Sequence, residues 1–268
     1  MPTASHARPH RRIIARPPPL LKNSAGILRR AQRARHLMLI LDFDGTLTPL
    51  RRQPEQVRLS SSSRKLLHRL AQRARLSLFI LSGRPLLDLE RRVRARGVRC
   101  LGLHGWEGLP GGRVDRASRD ALSQFLAAVE EQILPIPGLR LENKQVAFAI
   151  HYRGASPVAV RHARRRLLCL LHPYQKLLRL MEGKKIWEVL PRALAGKGAA
   201  VRKLRTSFPR GSLVIYMGDD TTDEEAFSAL PGAVTVRVGK ACSTHARWQA
   251  RNPAEVLRFL SLLEAELE

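Results

Sequence analysis

A chain of 268 residues, 44% of them apolar, has enough material for one large or two modest cores and reads as globular. Its 48 Lys and Arg against 22 Asp and Glu leave a formal charge of +26, a field that draws anions without choosing among nucleic acid, membrane headgroups and a phosphorylated small molecule. Cys100, Cys169 and Cys242 are widely spaced and odd in number, which excludes a zinc pattern or a small disulfide framework, and no apolar run approaches the roughly 20 residues of a membrane span.

Residues 1–36 carry nine basic side chains and no acid, include three consecutive prolines and show little apolar periodicity. They read as a disordered or loosely attached basic arm. No continuous apolar segment marks a secretory signal, so a reducing, cytoplasmic setting is expected. From Leu37 the rhythm changes. "LMLILDF" reads as a buried strand, "SSSRKLLHRLAQRA" as an N-capped helix with Leu66, Leu67, Leu70 and Ala74 on one face, "LSLFILSG" as a second strand, "PLLDLERRVRAR" as a helix opened by Pro85, and "VRCLGLHG" as a third strand. Strand and helix in alternation predict a parallel sheet. A helix near 118–133, two adjacent strand runs "LRLEN" and "VAFAIHY", a helix after Ser156-Pro157, then "KLLRLM" and "KIWEVL", describe a compact open-sheet insert. "GKGAAVRKL", "SLVIYMGDD", "TDEEAFSAL" and "AVTVRVG" resume the alternation, and an amphipathic helix closes the chain. The expected boundaries are a core in two parts, 37–107 and 195–268, split by an insert at 108–194.

The first strand ends in "DFDGT". Residues two apart on a strand share a face, so Asp42 and Asp44 point together while Phe43 turns away, toward the crevice where parallel sheets bind ligands at their carboxyl ends. Gly45 permits a tight turn whose backbone N–H groups can hold an anion. A solvated turn with a helix-capping Asp would account for this string alone. A second acidic cluster, Asp219, Asp220 and Asp223 in "MGDDTTDEEAF", follows another apolar strand. Two such clusters at neighbouring strand ends repel one another unless a divalent cation lies between them, and Mg²⁺ is the hard, oxygen-seeking choice beside phosphates. "LFILSGRP" offers the Ser82 hydroxyl, the Gly83 backbone and Arg84 to a phosphate, and "GKGAAV" places Lys197 where a helix begins; taken singly, each is as well explained by a surface role.

The order DxDGT, SGR, isolated lysine, GDDxTD resembles the haloacid-dehalogenase superfamily of phosphotransferases. More narrowly, "LDFDGTLTPL", "LSGRP", "LGLHGWEG", "GLRLENKQVAFAIHYR", "EGKKIWEVLP" and "GDDTTDEEAF" are together similar to the trehalose-6-phosphate phosphatase family, from about Leu37 to the C-terminus. The resemblance implies an α/β fold: a Rossmann-like parallel-sheet hydrolase core with an inserted small α+β open-sheet cap domain. It implies hydrolysis of trehalose 6-phosphate with Mg²⁺, the substrate coming from an upstream synthase. Asp42 would be the nucleophile that forms an aspartyl-phosphate, and Asp44 the acid and then the base. The Asp44 carbonyl would join Asp42 and Asp219 on the metal, with Asp220 and Asp223 as auxiliary acids. Ser82 and Lys197 would hold the phosphate oxygens. Glu142, Lys144, Arg153, Lys184 and Glu188 of the cap would hydrogen-bond sugar hydroxyls, although an ion pair such as Glu142 with Arg153 explains them equally well one at a time. Ala195-Gly196 precede Lys197 where the family tends to have a polar residue. His104 and Glu107 sit where the core passes into the insert and could line the cleft or act as a hinge, with a structural role the commoner outcome for His104 and for His151; Trp106 reads equally as packing or as a sugar platform. The rival readings are a related phosphatase acting on sucrose phosphate or a mannosyl phosphate, and a nucleic-acid-binding protein using its basic surface. No helix-turn-helix or aromatic-interleaved basic strand supports the second, so no specific nucleic-acid partner and no membrane are expected.

Overall fold

The computed structural model describes residues 14, 16–51, 53–110, 114–144, 146–183, 185–192, 194, 196–240 and 243–267. The chain enters through a helix α1 (Ser24–Arg33), then β1 (Leu37–Leu41), α2 (Ser61–Ala71), β2 (Leu76–Leu81), α3 (Leu86–Val93) and β3 (Arg99–Leu101). The insert follows as α4 (Arg116–Gln132), β4 (Arg140–Asn143), β5 (Phe148–His151), α5 (Pro157–Leu171), β6 (Leu178–Gly183) and β7 (Ile186–Pro191). The core resumes with α6 (Lys197–Thr206), β8 (Leu213–Gly218), α7 (Thr221–Ala229), β9 (Val234–Val238), β10 (Trp248–Ala250) and α8 (Pro253–Glu266).

The core sheet runs β10-β9-β8-β1-β2-β3 with every pairing parallel. Both of its faces are buried, which is why its strands are continuous apolar runs. Leu37, Leu39 and Leu41 pack with α1, α2 and α8, while Met38 and Ile40 pack with Ala200, Val201, Ala226 and Phe227 of α6 and α7. Register fixes the site. Leu41 lies opposite Ile80 on one side and Met217 on the other, so Asp42, Ser82 and Asp219 leave the sheet along one edge.

The insert is a four-stranded antiparallel sheet, β4-β5-β7-β6, with its own core. Phe148, Ile150, Trp187 and Val189 face Phe125, Val129 and Leu167 of α4 and α5. On the opposite face Glu142, Ala149, Glu188 and Met181 stand in one cross-strand row. That polar row is the face turned to the core.

The expectation of a loosely attached arm over residues 1–36 does not hold for its described part. Leu20, Ile27, Leu28 and Ala31 are buried in the main core, and α1 lies against α8. Ile27, Leu28 and Ala31 recur at helical spacing, enough apolar area to fix the helix while its arginines stay solvated. Pro19 bridges Gln249, covering the outer edge of β10. Strand β10 itself, three residues long, was not foreseen. No described helix is long and apolar enough to cross a membrane.

Candidate active site

The corner around Asp42 is a buried charge cluster at the edge shared by β1 and β8. Asp42 is 5% exposed; its Oδ1 accepts from Lys197 Nζ at 2.7 Å, and its buried Oδ2 has no hydrogen-bond partner among the described residues. Lys197 is the first residue of α6, behind Gly196, and also donates to Asp223 Oδ1 at 2.8 Å. Asp223 is fully buried and saturated: Tyr216 Oη donates to Oδ1 at 2.6 Å, and the N–H groups of Asp219 and Asp220 donate to Oδ2 at 3.0 and 2.9 Å. Asp220 caps α7 and accepts from Thr221 N–H. Where the sequence lacks a polar residue before Lys197, Asp223 orients the lysine, and Tyr216 on the adjacent strand holds Asp223.

Burial pushes the Asp42 carboxyl well above its usual range, opposed by Lys197 and reinforced by Asp223 and Asp219. Burial would likewise lower Lys197, but the carboxylates of Asp223 and Asp42 outweigh it and hold the ammonium charged. Asp223 is kept ionised against its own burial, chiefly by Lys197.

Oxygens of Asp42, Asp219 and Asp223 lie within 4.8 Å of one another. An all-carboxylate donor set suits a hard divalent cation, and the unpartnered Asp42 Oδ2 is a ligand atom in want of a positive charge. Gly45 lets the backbone close over this group: its φ is +86°, and a Cβ there would come within 2.2 Å of Asp219 Oδ2. The carboxylates of Asp42, Asp219 and Asp223 are gathered here; Asp220 caps α7, and the carboxylate of Asp44, whose backbone carbonyl was the group expected at the metal, is engaged by Arg84.

Asp44 meets Arg84. The guanidinium Nε and Nη2 donate to Asp44 Oδ2 and Oδ1 at 2.6 and 2.7 Å, and Nη1 donates to Asp88 Oδ2 at 3.0 Å. Arg84, expected to hold phosphate, therefore has its fork turned to carboxylates. Ser82 is buried at the end of β2, its Oγ accepting from Arg84 N–H at 3.2 Å. Glu107 accepts from Leu86 N–H and so caps α3.

The insert closes over this corner. Lys144 Nζ donates to the Gly83 carbonyl at 3.1 Å and pairs with Glu188, whose other oxygen is 2.6 Å from His104 Nε2. All three side chains are buried. Burial would raise the Glu188 carboxyl, yet Lys144 and then His104 hold it well below the usual carboxylate range. His104 lines the cleft and, through Glu188, makes a bond from core to cap that the sequence did not reveal. Glu142 pairs with His151 at 2.8 Å rather than with Arg153. A cleft of about 960 Å³ joins these groups, lined by Asp42, Asp44, Ser82, Lys197 and Asp219 from the core and by Glu142, Lys144, Arg153 and Glu188 from the cap. Its size is that of a site for a molecule well beyond a single phosphate. Lys185, at a left-handed φ of +64°, also lines it; Lys184 lies outside the described residues. Sequence reasoning missed Tyr216 and Asp88 although their partners are near in sequence: Tyr216 precedes Asp223 by seven residues on a strand whose end was already suspect, and Asp88 stands four residues from both Arg84 and Arg92 on one helix face.

A family model described as Trehalose-phosphatase matches residues 40–255. A trehalose-phosphate phosphatase of Mycobacterium tuberculosis is 31% identical over 256 residues, covering 87% of this chain and 63% of its own length. One from Mycobacterium avium is 33% identical over 215 residues, with 74% of this chain and 52% of its own length covered. The chain therefore spans less than two thirds of these curated relatives. The solved C-terminal domain of Candida albicans trehalose-6-phosphate phosphatase aligns over 93% of this chain and 99% of that one, with a TM-score of 0.79 at 24% identity, a likeness of fold.

Proposed function

The chain belongs to the trehalose-phosphatase family, and we propose that it is an Mg²⁺-dependent phosphatase that hydrolyses trehalose 6-phosphate to trehalose and phosphate. The observation that carries this reading is the meeting of Asp42, Lys197, Asp219 and Asp223 at one end of a cleft whose other wall is the polar row of the cap.

An Asp42 oxygen attacks phosphorus in line; the bond from phosphorus to the sugar oxygen breaks as the aspartyl-phosphate bond forms. Asp44 gives its proton to the departing sugar oxygen, then takes one from the water that attacks the aspartyl-phosphate, restoring both residues. Lys197 and Ser82 stabilise the non-transferring oxygens, where charge gathers in the transition state. Mg²⁺, held by Asp42 and Asp219 with Asp223 behind them, would supply positive charge to the phosphoryl group. Glu142, Lys144, Arg153 and Glu188, which line the cleft, and Lys184, four residues before Glu188, are the proposed partners of the disaccharide's hydroxyls. A synthase making the phosphorylated disaccharide is the implied supplier. Free thiols at Cys100 and Cys169 accord with a cytoplasmic setting.

The test is phosphate release, with Mg²⁺, from trehalose 6-phosphate, sucrose 6-phosphate, a mannosyl phosphate and glucose 6-phosphate. Trehalose 6-phosphate is expected to have the highest kcat/KM. Equal or better turnover of another ester would replace the substrate and leave the chemistry.

A further inference from the structure

Arg84 is nine-tenths buried, which for a guanidinium requires that its donors be met. All three of its nitrogens are engaged by carboxylates. Nε and Nη2 form two parallel bonds to the two oxygens of Asp44, and Nη1 turns to Asp88. Its carbon also lies 5.7 Å from the centre of the Phe43 ring, so the plane of the fork is supported from one side. Two parallel N–H bonds fix the plane of a carboxylate as well as its place, which a lysine cannot do.

The support continues outward. Asp88 accepts from Arg92 Nε at 2.7 Å, and Arg92 Nη1 donates to the carbonyls of Glu55 and Val57, both at 2.8 Å. The sequence Asp44, Arg84, Asp88, Arg92 is a row of alternating charge that starts at a side chain in the cleft and ends on the backbone of the loop at its rim. Asp44 itself is part-exposed to that cleft, and among the described residues Arg84 supplies the hydrogen bonds to its carboxylate.

We propose that Arg84 is a positioning residue for the proton-transferring carboxylate Asp44, and not a ligand of the substrate's phosphate. This rests on the role given to Asp44 above. In the first step Asp44 transfers a proton to the ester oxygen while that oxygen's bond to phosphorus breaks and the Asp42 oxygen bonds to phosphorus. The proton and the electron pair reach the same oxygen, so the geometry of Asp44 matters most where the leaving oxygen is a poor one. A sugar alkoxide is poor. A nitrophenolate departs with little help.

The test compares trehalose 6-phosphate with 4-nitrophenyl phosphate in the wild type, Arg84→Lys, Asp88→Asn, Asp44→Asn and the double variant Asp44→Asn/Arg84→Lys, all with Mg²⁺. First-turnover release of the leaving group is measured alongside kcat and KM. Loss of well-placed general acid catalysis costs about 100-fold or more, so Arg84→Lys is expected to lose about 30-fold or more in first-turnover rate on the sugar ester. The loss on the aryl ester should be at least about 10-fold smaller and KM should move less than about 3-fold. Asp88→Asn should shift the same ratio in the same direction, more weakly, and in the Asp44→Asn background Arg84→Lys should add little. A rise in KM for both esters with the rate preserved would return Arg84 to the phosphate, and equal losses on both esters, or full additivity in the double variant, would equally overturn the proposal. Wild-type turnover of the sugar ester and its loss in Asp44→Asn test the underlying reading separately; if another sugar ester proves the better substrate, the comparison runs on that ester.

Discussion

Lys197 Nζ lies 2.7 Å from Asp42 Oδ1 and 2.8 Å from Asp223 Oδ1, a buried cation between two buried carboxylates. Removing it leaves both acids without their counter-charge. Lys197→Met is expected to destabilise the metal-free protein by about 3–5 kcal/mol at neutral pH, the cost of breaking a buried pair from one side, and to lower turnover by about 100-fold or more. Urea unfolding and phosphate release report the two effects. Wild-type stability in the variant would show that the pair is not buried in the way described.

Tyr216 holds Asp223 through a 2.6 Å bond from inside the sheet. Tyr216→Phe keeps the ring, and its edge-on packing with Phe227, and deletes only the donor. A hydrogen bond to a charged group contributes about 1.5–3 kcal/mol, so the unfolding midpoint should fall accordingly with KM little changed. A neutral substitution would mean that Asp223 does not depend on Tyr216.

Ile27, 2% exposed in α1, lies within a segment that reads from the sequence as a basic arm. Ile27→Ala is expected to cost about 2–5 kcal/mol, as in a core. A change of a few tenths in the unfolding free energy would restore the arm.

How far the sequence carries follows from where each partner lies. The parallel sheet, the insert and the acids at strand ends were legible because each depends on local rhythm: apolar runs of five or six residues closed by Asp or by Ser-Gly-Arg. Helix α1 was obscured because arginines and a run of prolines hide a three-residue stripe. The ties that make the site were not legible. Glu188 meets His104 across 84 residues, Lys197 meets Asp42 across 155 and Arg84 meets Asp44 across 40, and nothing local announces which charge answers which.

Glu188 offers a pH test. Lys144 and His104 hold its carboxyl below the usual range against burial, so ionised Glu188 contributes stability that is present above the ordinary glutamate value of about 4.3 and is lost as the pH falls toward the lower folded value. Glu188→Gln should therefore destabilise the protein by about 3 kcal/mol at pH 7, where Lys144 is left buried and underpaired. The gap to the wild type should narrow on acidification below about pH 4. Thermal unfolding across that range checks it; a gap independent of pH would show that the charge on Glu188 is not what binds cap to core.

The whole account depends on Asp42 being the atom donor to phosphorus beside a divalent cation. The direct measurement is phosphate release from trehalose 6-phosphate by the wild type and by Asp42→Asn, each with Mg²⁺ and with the cation chelated. Release by the wild type with Mg²⁺, and in none of the other three conditions, is the predicted result. Turnover that survives chelation, or that survives the loss of the Asp42 carboxylate in a folded variant, would contradict it.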